Sequence, residues 1–396
     1  MKTIMFVECG SSGYGGSFHS LYHTVVNLNP EKYRSVVVFL NKTFFYEKLT
    51  ESGIRCYYLN DPIYKNCYTY KKFLLLKLNG FVLRYLSSMS VLVQYIIHLK
   101  TIHDMESIIR KECVDLIHLN NQLSLNYMGV FVAKSLSIPC VSHLRTFNSY
   151  GLNGSKISYA KKIKIKYIAI SEKIKRHWVE KGLESKKVDV IYNVYQPVEN
   201  GDLQNIDVAA MSEYDGFKII FVGRIIECKG IPFLLESFKQ VLDNDIRARL
   251  FLVGDGVDMK MIRGYVKTLG IEPYAVFMGY QENPGQFISI ADLLILPSKE
   301  EGFGRVLLEA MDVGTPVIGT RIGGIPEVIE HGVNGLLVDY GDIEALKKSI
   351  IEIQEDKLLR KKLIQGGYET INSKFCVETY QGKLENVYDT LLDVSK

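Results

Sequence analysis

The chain has 396 residues, of which 47% are hydrophobic and 23% charged, enough apolar material for two cores and too little charge for disorder. Its cysteines (Cys9, Cys56, Cys67, Cys113, Cys140, Cys228, Cys376) are odd in number, scattered and never in C-x-x-C spacing. That excludes a disulfide framework and a zinc ribbon, and it predicts a reduced, cytoplasmic protein. The net charge of +4 hides an asymmetry, because residues 1–196 hold 27 Lys and Arg against 13 Asp and Glu, while residues 197–396 hold 21 against 31.

In chain order, Ile4 to Val7 is a short apolar run ended by Glu8, which reads as a first strand and not as a signal peptide. Gly10-Ser-Ser-Gly13-Tyr-Gly15-Gly16-Ser17 follows, then a helix-like stretch from Phe18 to Leu28. Strand, glycine turn and helix start open a nucleotide-fold unit, although the glycines are not spaced G-x-G-x-x-G. Ser35 to Leu40 is the second predicted strand.

Pro62 to His103 and Leu116 to Ser171 contain no acidic residue. Within the first interval, Phe73 to Leu76 and Phe81 to Leu99 are apolar but broken by Lys77, Asn79, Gly80, Arg84 and Gln94, short of the ~20 clean residues of a membrane span. A basic, apolar helix lying on an anionic membrane surface fits this pattern, with a core helix carrying solvated lysines as the plainer alternative. No nucleic-acid partner is expected.

Asp115 to Leu119, Ile138 to Leu144, Tyr167 to Ser171 and Val188 to Tyr192 are further strands, each separated by helical stretches. Residues 197–216 are polar, acidic and poor in large aliphatics, the expected linker between a domain at 1–196 and one at 217–374. A second series of strands follows: Lys218 to Val222, Arg249 to Val253, Ala275 to Met278, Ala291 to Leu296, Pro316 to Gly319 and Gly335 to Val338. Alternation of this kind predicts parallel sheets covered on both faces. Residues 375–396 close the chain as an amphipathic helix with Tyr380, Leu384, Val387, Tyr388 and Leu391 on one face, expected to pack back on the first domain.

The stretch Leu296 to Gly324 carries the strongest chemical signal. A buried strand stops at Pro297, the turn Glu301-Gly302-Phe303-Gly304 follows, and Arg305 to Val313 has helical spacing up to Gly314. Gly302 and Gly304 allow close backbone approach, and the helix start offers free N–H groups and a positive dipole end, a seat for phosphate. Glu301 and Glu309 lie roughly 12 Å apart along such a helix, too far for a glycosidase pair and suited to the two ends of one extended ligand. Gly223-Arg224 ends one strand and Lys229 follows five residues later, so two cations stand where a diphosphate sits above a parallel sheet. Gly254-Asp255-Gly256 is a second strand-end turn, lining a base pocket or purely structural. Asp243-Asn-Asp245 resembles a metal-binding D-x-D but falls at the wrong end of the sheet, and no cluster has metal-ligand spacing.

GRIIECKG (Gly223 to Gly230), FLVGDG (Phe251 to Gly256), PSKEEGFGRVLLEAMDVGTPVIGT (Pro297 to Thr320) and GGIPEVIEHGVNGLLV (Gly323 to Val338) resemble family 4 of the retaining glycosyltransferases. The resemblance is strongest from 218 to 340 and looser in the first half, at Gly15-Gly16, Asp115-Leu-Ile-His118, Ile138-Pro139 and Ile168-Ala-Ile-Ser171. It implies the GT-B fold, two Rossmann-like α/β domains with parallel sheets facing a central cleft. It also implies that Arg224 and Lys229 bind the donor diphosphate, Glu301 the sugar hydroxyls and Glu309 the ribose, with Gly15-Gly16 facing the phosphates.

Two positions depart from the family. Where many members place a histidine six residues after the proline, this chain has Arg145, with His143 two earlier on the same strand face, so either could reach the reacting sugar. Asn193-Val194 stands where members often read N-G.

The sequence therefore predicts a metal-independent, retaining glycosyltransferase that needs no cofactor. Its donor would be a UDP- or GDP-sugar and its acceptor a glycan, expected to be lipid-linked, in cell-surface polysaccharide synthesis. A sugar-nucleotide 2-epimerase on the same fold and a non-catalytic sugar-nucleotide-binding module are the rivals.

Overall fold

The computed structural model describes residues 1–10, 16–60, 91, 95–96, 98–121, 123, 126–147, 154–193, 195 and 206–393. Gly15 and most of the apolar stretches Phe73 to Leu76 and Phe81 to Leu99 lie outside the described residues. The chain divides into two compact units, one of Met1–Val194 with Glu378–Lys396 and one of Tyr195–Val377.

The first unit is a seven-stranded parallel sheet: β1 (Lys2–Glu8), β2 (Tyr33–Phe39), β3 (Arg55–Tyr58), β4 (Leu116–Leu119), β5 (Cys140–Leu144), β6 (Ile165–Ala169) and β7 (Val188–Val190). Their order across the sheet is β3-β2-β1-β4-β5-β6-β7. The central strands are buried along nearly their whole length, as strands covered by helices on both faces must be. The edge strand β3, Arg-Cys-Tyr-Tyr, is only part-buried and was not legible as an apolar run.

The terminal helix Val377–Asp393 belongs to this unit from Glu378 onward and buries Tyr380, Leu384, Val387, Tyr388 and Leu391. Tyr380 meets Thr24 at 2.7 Å, and Glu385 accepts the Asn29 N–H at 3.2 Å.

The second unit is a six-stranded parallel sheet: β8 (Phe217–Val222), β9 (Ala248–Val253), β10 (Ala275–Gly279), β11 (Leu293–Leu296), β12 (Val317–Thr320) and β13 (Leu336–Val338), ordered β10-β9-β8-β11-β12-β13. Its core joins Phe221, Leu234, Phe238, Leu252 and Ile295. Within the stretch expected to be a linker, Ile206–Ser212 is a helix with Val208 and Met211 buried.

Both sheets reverse direction in the same way. The chain runs outward from β1 to β3 and then returns to place β4 on the other side of β1. It repeats this with β8 to β10 and then β11. Loops leaving adjacent strands in opposite directions open a crevice at the carboxyl ends, β1/β4 in one unit and β8/β11 in the other. Among the described residues, no helix is long and apolar enough to cross a membrane.

Candidate active site

In the second unit, β8 delivers Gly223 and Arg224 to the crevice, and β11 delivers the loop from Pro297 to Gly304. Arg224 is exposed, and no carboxylate among the described residues pairs with it. Ile225 beside it is buried and donates its N–H to the Asp255 carbonyl at 2.9 Å. The turn at Gly254 packs flush on this segment: a Cβ at Gly254 would lie 1.9 Å from the Gly223 carbonyl oxygen. Its glycine is therefore required by backbone packing.

Lys229 ends a short 3-10 turn, Glu227–Lys229, and its Nζ lies 2.6 Å from Glu301 Oε2. Ser298 Oγ donates to the same oxygen at 3.3 Å. Both partners of the ion pair are mostly covered, 17% and 14% exposed, so water screens it little. The two loops are also joined through the main chain, since the Cys228 carbonyl accepts Lys299 N at 2.9 Å and Glu300 N at 3.2 Å. Gly323 (φ +60) seats the Glu301 backbone; its Cβ would sit 1.8 Å from the Glu301 carbonyl oxygen. Thr320 Oγ1 donates to the Ser298 carbonyl at 2.6 Å from the next strand.

The helix Arg305–Asp312 begins directly after Gly304. Arg305 Nη2 lies 3.7 Å from Glu309 Oε1, one turn away. Burial pushes the Cys228 thiol up against the pull of Lys229 and Arg224, so this cysteine is not an activated nucleophile. An exposed arginine, a lysine held by a carboxylate and the positive end of a helix dipole together present positive charge to an anion. The contacts of the Glu301 carboxylate among the described residues fall on Oε2, which leaves Oε1 without a hydrogen-bond partner there.

In the first unit the crevice is filled by side chains. Glu8, at the end of β1, is fully buried, and its carboxylate accepts Gly10 N (2.6 Å), Asn121 Nδ2 (2.6 Å) and Asn120 Nδ2. Burial pushes its carboxyl above the usual range, against these hydrogen bonds and the charge of Arg145. Arg145 is also buried, with Nε on the Asn120 carbonyl (2.8 Å), Nη1 on Ser20 (3.0 Å) and Asn193 (2.9 Å), and Nη2 on Asn120 Oδ1 (2.7 Å) and His143 Nδ1 (3.3 Å). His118 Nε2 lies 2.8 Å from that same His143 nitrogen, and His118 Nδ1 meets the Tyr388 hydroxyl. Burial, aided by Arg145, holds His118 at about 3 and His143 well below the ordinary histidine value, so both rings are neutral.

Of the residues singled out in the sequence, Gly223, Arg224, Lys229, Gly254, Glu301, Gly302, Gly304, Arg305 and Glu309 all belong to the second unit, and Lys229 and Glu301 touch. Phe303 is different: its ring is buried and meets Phe375 edge-on at 5.7 Å, so the side chain builds core and does not face a ligand. Arg145 has all five N–H groups engaged inside the first unit, whereas His143 has Nε2 without a partner among the described residues. Gly16 is exposed at the start of the helix Gly16–Val26. Among the described residues no three His, Cys, Asp or Glu side chains gather as a metal site.

Sequence reasoning missed Ser298, Thr320, Glu8, Asn120, Asn121 and Tyr388. A lone carboxylate closing an apolar strand, and paired asparagines directly after another, were the available signals for Glu8, Asn120 and Asn121.

Residues 207–370 match the family model described as glycosyl transferases group 1. An uncharacterised glycosyltransferase of Methanocaldococcus jannaschii is 30% identical over 295 residues, 73% of this chain and 79% of that one. The chain belongs to the group 1 glycosyltransferases.

The N-acetyl-alpha-D-glucosaminyl L-malate synthase of Bacillus anthracis is 36% identical over 176 residues, 44% of this chain and 46% of its own. Several other curated relatives, named for lipopolysaccharide core and capsular polysaccharide biosynthesis, also align over only about half of their length. Among solved structures, Anabaena HepE in complex with UDP and glucose superposes with a TM-score of 0.77 at 22% identity, covering 98% of this chain and all of that one. That likeness shows the fold, which is GT-B.

Proposed function

We propose that this group 1 glycosyltransferase moves a sugar from a nucleoside-diphosphate sugar to a glycan acceptor with retention of the α configuration. One observation carries the reading: Lys229 and Glu301 are held together at 2.6 Å in the β8/β11 crevice, between exposed Arg224 and the helix start at Arg305. A phosphate-binding cation touching a hydroxyl-binding carboxylate matches the junction of a sugar with its diphosphate. The departing diphosphate takes up negative charge as the glycosidic bond breaks, and Arg224, Lys229 and the helix start stabilise it without a metal ion. In this reading Glu301 orients the sugar, Glu309 holds the ribose, and the acceptor hydroxyl attacks on the face the diphosphate leaves, giving its proton to phosphate.

Support for a cell-surface polysaccharide acceptor comes from relatives named for capsule and lipopolysaccharide synthesis. The excess of basic residues before position 197 supports a lipid-linked acceptor reached from the cytoplasmic face of an anionic membrane. The Bacillus relative's name favours a second acceptor class, a small hydroxy acid.

Mass spectrometry of products from a panel of nucleotide sugars, with glycan-lipid and malate as acceptors, tests all of this. Transfer that survives EDTA and gives an α-linked product by NMR is expected. A β-linked product, or activity lost to EDTA and restored by manganese, overturns the scheme. A nucleotide sugar isomerised without change of mass would make the protein an epimerase. Nucleotide-sugar binding with no turnover would make it a binding module. Vesicle co-sedimentation should depend on anionic lipid and weaken with salt.

A further inference from the structure

Ser298 follows Pro297 on the loop that leaves β11, and it is fully buried. A buried hydroxyl needs a hydrogen-bond partner. Among the described residues the Ser298 hydroxyl has one, Glu301 Oε2 at 3.3 Å, three residues further along the same loop. Lys229 Nζ holds that same oxygen at 2.6 Å. The carboxylate is thus gripped at one oxygen by a cation and by a neutral hydroxyl.

A diphosphate acts differently on the two grips. Lys229 carries its charge on a flexible four-carbon stem, and an arriving phosphate draws on that charge. Its bond to Oε2 weakens when the donor is in place, which is when the carboxylate must be aligned. The Ser298 hydroxyl has no charge to share, is shut off from solvent and turns about a single side-chain bond.

The backbone that carries it is pinned as well. Thr320 Oγ1, itself buried, donates to the Ser298 carbonyl at 2.6 Å. The Cys228 carbonyl accepts Lys299 N at 2.9 Å and Glu300 N at 3.2 Å, and the Glu301 carbonyl accepts Gly324 N at 3.1 Å. From 298 to 301 each residue is tied to a neighbouring segment of the second unit.

We propose that Ser298 is a positioning residue: its buried hydroxyl keeps the Glu301 carboxylate turned so that Oε1 meets the sugar hydroxyls once the diphosphate engages Lys229. The assignment of sugar to Glu301 and phosphate to Lys229 rests on the glycosyltransferase reading. The hold of the Ser298 hydroxyl on Oε2 does not.

The test uses the full chain with the nucleotide sugar that the product panel identifies. Ser298→Ala should lower kcat about tenfold through a misplaced sugar, with affinity for UDP and GDP by calorimetry unchanged. Ser298→Cys keeps nearly the same volume with a weaker donor and should lose almost as much, which separates loss of the hydrogen bond from a packing defect. In a Glu301→Ala background, with no carboxylate left to orient, Ser298→Ala should have no further effect on kcat. Thr315→Val is the control, because it removes a buried 2.7 Å contact with the Ile288 carbonyl in the same unit and leaves Glu301 alone. It should unfold at lower urea and turn over normally.

Crystals of the unaltered chain, with and without nucleoside diphosphate, should both keep the Ser298 hydroxyl on Oε2. Full kcat in Ser298→Ala and Ser298→Cys overturns the proposal, as does additivity with Glu301→Ala or an equal loss in Thr315→Val. Diphosphate affinity that falls in step with kcat, or a hydroxyl turned away from Oε2 in the diphosphate complex, overturns it too. Absence of transfer from every donor would count against the glycosyltransferase reading instead, with the crystals still deciding whether Ser298 holds the carboxylate.

Discussion

In the second unit the charged groups stand on short loops that main-chain hydrogen bonds hold, with Arg224 exposed and Lys229 and Glu301 sharing one ion pair. In the first unit the equivalent crevice, β1/β4, is occupied by buried side chains: Glu8 with three donors and Arg145 with five acceptor contacts. Same topology and same sheet edge thus serve two purposes. One crevice keeps its charges near the surface, where a ligand can replace their partners. The other, among the described residues, satisfies its charges internally. A charge at such an edge is a binding group only when its hydrogen-bonding capacity is not already taken.

Removing the available charges should have the largest effect. Arg224→Ala with Lys229→Ala should weaken nucleoside-diphosphate binding by about 3–6 kcal/mol, since each charge-assisted contact to phosphate is worth about 1.5–3. Calorimetry checks it, and unchanged thermal unfolding would show that the fold is intact.

The opposite pattern is expected at Glu8. Glu8→Ala leaves three N–H donors without their acceptor and the buried Arg145 charge without its counter-charge, so urea unfolding should show a loss of about 3–5 kcal/mol, while the diphosphate affinity of the folded protein is unchanged. If Glu8→Ala weakened binding as much as the double variant does, the distinction between the two crevices would fail.

Glu301→Gln sharpens the comparison within the second unit. It should lower turnover about a hundredfold by misplacing the sugar. Because the change frees Lys229 from its 2.6 Å ion pair, binding of the bare nucleoside diphosphate should stay equal or tighten. Weaker binding would mean that the ion pair organises the phosphate seat and does not compete with it. The product that remains should still be α-linked.

The smallest effect concerns pH. Burial pushes Glu112 up, but Tyr57, Arg34 and Arg55 outweigh it and hold this carboxyl at about 2, below its ordinary 4.5. A folded-state value below the unfolded one gives stability that is present above about pH 4.5 and lost as pH falls toward about 2. Glu112→Gln should flatten that part of the acid-unfolding curve, read by circular dichroism, and leave diphosphate binding at neutral pH untouched.

Much of this protein was determined by residues adjacent in the chain. The six strands of the second unit are largely apolar runs, most of them ended by Gly or Pro turns, and burial on both faces requires that composition. The seat at Glu301 to Arg305 is local too, because strand, turn and helix start follow one another without interruption, and Arg224 with Lys229 lies in one eight-residue stretch. The face of the terminal helix was equally readable, its period of 3.6 marking Tyr380, Leu384, Tyr388 and Leu391 for burial.

Tertiary structure alone decided what the polar groups do. Lys229 meets Glu301 across 72 residues and His118 meets Tyr388 across 270. Arg145 and His143 looked interchangeable on one strand face, yet five contacts from Ser20, Asn120, His143 and Asn193 use up the arginine, whereas His143 keeps a buried Nε2 without a partner among the described residues. Phe303 sits in a ligand-facing motif but turns its ring onto Phe375. Hydrophobic period is a property of neighbouring residues, so it survives in one dimension. Hydrogen-bond satisfaction depends on which distant donors and acceptors the folded chain brings within about 3 Å, and no local pattern encodes it.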